Sequence, residues 1–229
     1  MKRLRDFTMA RVALGRAGNS VPVREMLTFQ LAHARARDAV FYPFDSARFG
    51  GVCVKSKARD RAEYLRRPDL GRQLADESRA RLAPLESDVV YVICDGLSAL
   101  AVEKNAPALL ESVPPALTIV CEQGRVAIGD EIGELLKASL AIVLIGERPG
   151  LSAADSMGVY LTWNPRIGRT DAERNCISNI RPEGLSPGAA AELLQFLMTE
   201  SRRRKLSGVA LKAQSSTGEK LESSASRTI

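Results

Sequence analysis

The chain has 229 residues, 45% of them hydrophobic and 26% charged, with a net charge of +6; this is the make-up of a globular protein of one or two domains and excludes wholesale disorder. No run of about 18 uncharged apolar residues is present, so no membrane-spanning helix is expected, and no apolar segment follows the basic start Met1-Lys-Arg-Leu-Arg-Asp6, so no secretory signal is expected either. The four cysteines, at 53, 94, 121 and 176, form no CxxC pair, which argues against a zinc knuckle; three of them lie in apolar, strand-like runs and read as reduced, buried thiols of a cytosolic protein.

Residues 1–84 read as a helical front part. Ser20 before Pro22 resembles a cap followed by an early helical proline, and Leu27, Leu31 and Ala34 then recur at helical spacing. The stretch 41–51, with Pro43, Gly50 and Gly51, is a loop. Residues 57–67 form a second helix ended by Pro68, and 70–82 a third, ended before Pro84. Near residue 88 the pattern changes. The runs 89–94, 117–121 and 140–145 are continuously apolar and β-branched, which marks strands buried on both faces. Helix-like stretches at 97–112 and 129–138 separate them, predicting βαβ units and a parallel sheet. Residues 159–163 and 176–180 read as further strands. Ser186 and Pro187 then open a last helix with a basic end, Arg202-Arg-Arg-Lys205, and Gly208 can stop it. Beyond residue 212 the tail is rich in Ser, Lys and Glu and reads as disordered. The fold class is therefore α/β: a helical region, 1–84, followed by a parallel-sheet domain, 85–211, and a tail, 212–229.

The charge is uneven. Residues 1–81 hold 18 Lys/Arg against 9 Asp/Glu, whereas residues 82–229 hold 15 against 18. A basic front half points to an anionic partner. Nucleic acid is not favoured, because aromatics for base stacking make up only 5% and no helix-turn-helix, RNP or finger pattern occurs. The single histidine, His33, falls on the first helix; it leaves no basis for a multi-histidine metal site and weakens any Ser-His-Asp triad. In an open parallel sheet, ligands bind beyond the carboxyl ends of the strands. Three such ends carry unusual sequence: Cys94-Asp-Gly-Leu-Ser98, Gly124-Arg-Val126 with Gly129-Asp-Glu-Ile-Gly133, and Gly146-Glu-Arg-Pro-Gly-Leu-Ser152. None is a GxGxxG or Walker A motif, so neither a dinucleotide nor an ATP site is supported. Residue types alone give an α/β protein with a large ligand beyond three strand ends.

Seven strings in chain order carry a resemblance: Gly15-Arg-Ala-Gly18, Arg37-Asp-Ala-Val40, Tyr64-Leu-Arg-Arg-Pro-Asp-Leu-Gly-Arg72, Asp95-Gly-Leu-Ser98, Gly129-Asp-Glu-Ile-Gly-Glu134, Gly146-Glu-Arg-Pro-Gly-Leu-Ser152 and Asp171-Ala-Glu-Arg-Asn-Cys-Ile-Ser-Asn-Ile180. Over about residues 4–211 the chain resembles the small (light) subunit of ethanolamine ammonia-lyase. The resemblance implies a Rossmann-like domain and a radical enzyme that uses adenosylcobalamin to convert ethanolamine to acetaldehyde and ammonia. It implies a large catalytic subunit as partner, in a hexamer of large–small pairs, with the front part docking on it and no nucleic acid or membrane involved. No catalytic residue is carried over to this chain. The cofactor contacts fall on Val126, Glu147 and Cys176: Val126 offers backbone groups and an apolar contact, Glu147 accepts hydrogen bonds, and Cys176 permits close approach to a flat macrocycle. The chain lacks an Asp-x-His-x-x-Gly string, so cobalt is expected to keep its own dimethylbenzimidazole as lower ligand. The implied location is cytoplasmic, with a bacterial microcompartment as a second location open to the family. A stand-alone corrinoid-binding or assembly protein without catalysis is the competing reading of the same strings.

Overall fold

A computed structural model describes residues 4, 6–8 and 10–211; the tail at 212–229 that the sequence marks as disordered lies outside the described residues. Six strands form one sheet: β1 (Val52–Lys55), β2 (Val89–Cys94), β3 (Leu117–Glu122), β4 (Leu140–Gly146), β5 (Met157–Trp163) and β6 (Arg174–Ile180). Their spatial order is β1-β3-β2-β4-β5-β6. The helices are α1 (Val23–Val40), α2 (Arg61–Arg66), α3 (Asp76–Leu82), α4 (Ala99–Glu111), α5 (Ile128–Leu135) and α6 (Pro187–Arg204). The α/β class expected from alternating apolar runs and helical stretches is the fold observed.

The centre of the sheet follows from composition. β2 and β4 contain no charged residue and are buried at every position, paired in parallel from Val89↔Leu140 to Cys94↔Ile145. Their two faces feed two cores. Tyr91, Ile93, Ile142, Leu144, Val159 and Leu161 pack with α4 and α6 on one side, and Val90, Val92, Ile119, Ala141 and Val143 pack with α5 on the other. Chain topology reverses at β2: β3 lies on one flank of it and β4 on the other.

Four features differ from the sequence reading. The front part is not purely helical, because β1 lies within it and pairs in parallel with β3. Four residues are too short a run to announce a strand; the pairing depends on Gly51, where a Cβ would lie 2.3 Å from the Thr118 carbonyl oxygen. The sheet is only mostly parallel, since β5 and β6 are antiparallel additions. The connections at 147–156 and 164–173 contain no α-helix, only a 3-10 turn at Asp171–Glu173 in the second, and a parallel crossover needs a helix or an equally long path. Ser20 does not cap α1: Pro22 sits at the cap position, and Ser20 instead closes a turn whose Ala17 N–H donates to its carbonyl at 2.8 Å. The expected helices at 57–67 and 70–82 are trimmed to α2 and α3. Asp60 stops the first from starting earlier by accepting from the Glu63 N–H, and a short 3-10 turn at Leu70–Arg72 stands before the second.

The cysteine reading is also corrected. Cys94 and Cys121 are buried, but Cys53 and Cys176 are exposed, because β1 and β6 are the two edges of the sheet and each has a face that no helix covers. At the last helix the sequence reading holds: Ser186 accepts from the Ala189 N–H and Pro187 opens α6.

Candidate functional site

The loops that follow β2 and β4 meet at the topological switch point, and they close it. The Leu97 N–H donates to the Gly146 carbonyl at 2.9 Å, and a Cβ on Gly146 would lie 2.0 Å from the Ser98 carbonyl oxygen. Asp95 is 5% exposed and is held by Arg61 at 3.1 Å; burial, only partly offset by Arg61 and nearby amides, pushes its pKa up to about 6. Ser98 caps α4 and donates to the Ala154 carbonyl. These residues therefore hold the crossing together. Arg148 beside them is exposed, with no ion pair among the described residues.

The open ground lies to one side. α5 covers β3, β2 and β4, but its layer stops there, and the same face of β5 and β6 carries no helix. Along it β5 presents Gly158, Tyr160 and Thr162, and β6 presents Arg174, Cys176 and Ser178, by the period-two alternation of strands; Gly158, Thr162 and Arg174 are buried under loops and side chains, Tyr160 is half-buried, and Cys176 and Ser178 are exposed. Glu147, one residue past β4, lays its carboxylate over Gly158, where a Cβ would sit 3.0 Å from Oε1 and 3.2 Å from the Tyr160 ring. The carboxylate accepts from the hydroxyls of Ser156 and Ser178 and from the Asn179 N–H at 3.3 Å. An irregularity between Met157 and Val159 puts one extra residue on β6, and Asn179 adopts φ +59° there. Bulges re-aim side chains in this way, and here Ser178 and the Asn179 amide both turn toward Glu147.

Tyr160 pairs in register with Cys176. Burial, with Cys176 and Glu147 as neighbours, pushes its phenol well above the ordinary range. Cys176 reaches solvent, yet the protein packed around the thiol raises its pKa, with Tyr160 opposing and Glu147 adding to the shift. Val126 approaches from the other side, at the turn leading into α5. It shares with Tyr160 an open cleft of about 490 Å³, whose walls are Arg72, Arg125, Arg169 and Arg174 with Asp171. The amide N–H of Val126 has no acceptor among the described residues, while its carbonyl takes the Gly129 N–H.

The three residues expected at the site thus come from three segments and converge around one tyrosine. Cys176 differs from expectation in one respect: it lies within β6 rather than at a strand end. Tyr160 was missed, although alternation in 159–163 put it on the face opposite Val159 and Leu161. The cleft's floor is locked from below. Arg174, on β6, donates to Asp130, on α5, at 2.5 and 2.7 Å, and the two side chains are 2% and 4% exposed.

The strings singled out in the sequence acquire structural roles. The Tyr64 hydroxyl donates to the Gly124 carbonyl at 3.0 Å, and the Gly71 carbonyl accepts from the Arg125 N–H at 2.8 Å, so the 64–72 string carries the cleft's outer wall. Glu131 accepts from the Leu74 N–H and pairs with Arg79. Gly129 and Gly133 admit Val143 and Pro165 against α5.

The family model "Ethanolamine ammonia-lyase light chain (EutC)" matches residues 1–212. The chain belongs to that family. A protein of Pseudomonas paraeruginosa named ethanolamine ammonia-lyase small subunit is 50% identical, over 98% of this chain and 91% of its own length. Proteins of the same name from Azotobacter vinelandii and Xanthomonas campestris are 52% and 53% identical over 92% of this chain, covering 87% and 86% of their own lengths. This light chain is accordingly part of an ammonia-lyase that works as a complex, and a small subunit implies a large one. Among its described residues no helix is long and apolar enough to cross a membrane.

Proposed function

We propose that this light chain completes an adenosylcobalamin site at its contact with the large subunit, and that the complex converts ethanolamine to acetaldehyde and ammonia by a radical route. The observation that carries the proposal is the convergence of Val126, Glu147 and Cys176 around Tyr160, where no helix covers β5 and β6. The donor set suits a corrin. Its rim carries neutral amides that donate and accept, and the site offers a carboxylate, a backbone N–H at Val126 with no acceptor among the described residues, and the exposed edge at Cys176 and Ser178. A half-covered platform of this kind needs a second wall, which an isolated light chain does not provide.

When bound, adenosylcobalamin supplies the radical that opens the reaction. This chain's residues hold and orient. Glu147, fixed by three donors, would accept from corrin amides with its remaining lone pairs. Tyr160 and Cys176 would form a floor for the macrocycle, and Val126 would contribute an apolar edge with its N–H. His33 lies on α1 against Phe29, ring centroids 6.3 Å apart, and does not line the cleft, so the base-on form with dimethylbenzimidazole as lower ligand is part of the same proposal. The front part, residues 1–84, serves as the docking region for the large subunit. Its helix α1 has a single buried residue, Ala39, and leaves Val23, Leu27, Phe29 and Leu31 exposed. The hexamer of large–small pairs belongs to this reading.

An omission assay tests it. Acetaldehyde is followed from ethanolamine and adenosylcobalamin with the large subunit, in the presence and absence of this chain. Activity only with both, and a fall of about tenfold or more in cofactor affinity for Glu147→Gln, are expected, since hydrogen bonds to charged groups contribute about 1.5–3 kcal/mol. Folded, mixed subunits that bind the corrinoid but never turn over would transfer the weight to a corrinoid-binding protein without catalysis.

A further inference from the structure

The cleft beside Val126 contains more positive charge than the fold uses. Of its four arginines, two are committed: Arg174 pairs with Asp130, and Arg169 with Glu173. The other two, Arg72 and Arg125, have no carboxylate partner among the described residues. Arg72 is exposed. Arg125 is the more telling. Its guanidinium carbon stands 4.1 Å over the Tyr64 ring, one terminal nitrogen donates to the Tyr64 carbonyl at 3.2 Å, and its Nε is buried without a partner among the described residues. Gly71 leaves no room for a Cβ, which would lie 2.8 Å from the Arg125 side chain. The protein therefore fixes a guanidinium at the rim of an open cleft, beside a second free arginine, and gives neither an internal counter-charge. Asp171 is the one carboxylate in the lining. It is fully exposed and stands at 3.5 Å from Arg174, so the local charge stays positive.

A stacked, pre-oriented guanidinium is suited to a phosphate-type oxyanion, because its donors are already in the planar fork that such anions accept. We infer that Arg125, with Arg72, holds the phosphodiester of the corrinoid's lower nucleotide arm, while Val126, Glu147 and Cys176 hold the ring. This rests on the corrinoid reading above. Val126 and Tyr160 line the arginine cleft, and Tyr160 pairs with Cys176, so the two parts of the site adjoin. The Tyr64–Arg72 string thereby gains a binding role that its buried contacts alone do not require: it positions Arg125 and brings Arg72 to the same cleft.

Adenosylcobinamide and adenosylcobinamide phosphate differ by the phosphate alone, and so isolate the interaction. Binding of each to the complex of light and large subunits is measured by equilibrium dialysis, with no turnover needed. The wild-type complex should prefer the phosphate-bearing form, and Arg125→Gln and Arg72→Gln should each remove most of that preference, about tenfold for Arg125 by the strength of charge-assisted hydrogen bonds. Affinity for the phosphate-free form should stay unchanged in both. Should Arg125→Gln fail to assemble, Arg72→Gln, whose side chain is exposed, gives the same readout. Equal loss for both corrinoids would overturn the inference in favour of a structural arginine. So would an unchanged preference, or inorganic phosphate bound at Arg125 without competing against the phosphorylated corrinoid. A wild-type complex that binds neither corrinoid would instead refute the cofactor reading on which the inference stands.

Discussion

Replacing Arg174 by Met tests whether the floor of the site is held by a buried ion pair. The guanidinium is 2% exposed and Asp130 is 4% exposed. Besides Asp130, the Arg174 donors reach the Thr162 hydroxyl at 3.2 Å and the Arg169 carbonyl at 2.8 Å. Methionine keeps an unbranched apolar stem but removes every donor, stranding the carboxylate. Removing one member of a buried pair costs about 3–5 kcal/mol, and for a chain of this size each kcal/mol moves Tm by about 2–4 °C, so a fall of about 6–20 °C is expected. Trp163 is the sole tryptophan, and its carbonyl accepts from Arg169, so its fluorescence reports unfolding next to the lesion. The double variant Arg174→Met/Asp130→Leu should recover most of the loss, because an apolar replacement of a buried pair is often neutral. The pair also ties the first turn of α5, just after Val126, to β6 two residues before Cys176. The single variant should therefore weaken corrinoid binding by the assembled complex even at temperatures where it stays folded. A Tm loss under about 3 °C, or a double variant as unstable as the single, would refute the reasoning, since it would mean that water already screens the pair.

Asp95 predicts a pH dependence. Burial raises its pKa to about 6 from 3.8, so the folded state favours the protonated acid. Its contribution to stability is full below the unfolded value and is lost as pH rises through about 6; Asp95→Asn should flatten the slope of Tm against pH between 4 and 6, and an unaltered slope would contradict the assignment. Ser98→Ala removes the cap of α4 and a 3.0 Å bond to the Ala154 carbonyl, for an expected loss of about 1–2 kcal/mol in urea unfolding; a neutral result would show that water replaces both. With its thiol pKa raised by burial, Cys176 should react with iodoacetamide at pH 7.5 more slowly in the folded chain than in the denatured one, as read by peptide mass spectrometry. Faster reaction in the folded chain would reverse the assigned direction.

Composition and order determined much of this protein. The apolar runs at 89–94, 117–121 and 140–145 had no stable place except a doubly covered sheet, and the helical stretches between them forced parallel crossings, so the α/β class was legible. Ser186-Pro187 marked a helix start because cap and proline act locally. The seven strings marked the family, since their order along the chain is itself sequence information. Tertiary structure decided what depends on partners distant in the chain. β1 is a strand only because β3 lies open beside it, and β5 and β6 reverse direction because their connections are too short to cross over. Cys176 is exposed because the helical layer ends at β4. The site is a case of the second kind. Val126, Glu147 and Cys176 were legible as separate points, but alternation alone could not say that the face they share goes uncovered. Nor could sequence show that Arg125, one arginine among many, would be pinned on Tyr64 without a counter-charge. A charge's partner is fixed by three-dimensional proximity, and proximity between residues sixty positions apart exists only once the sheet has formed.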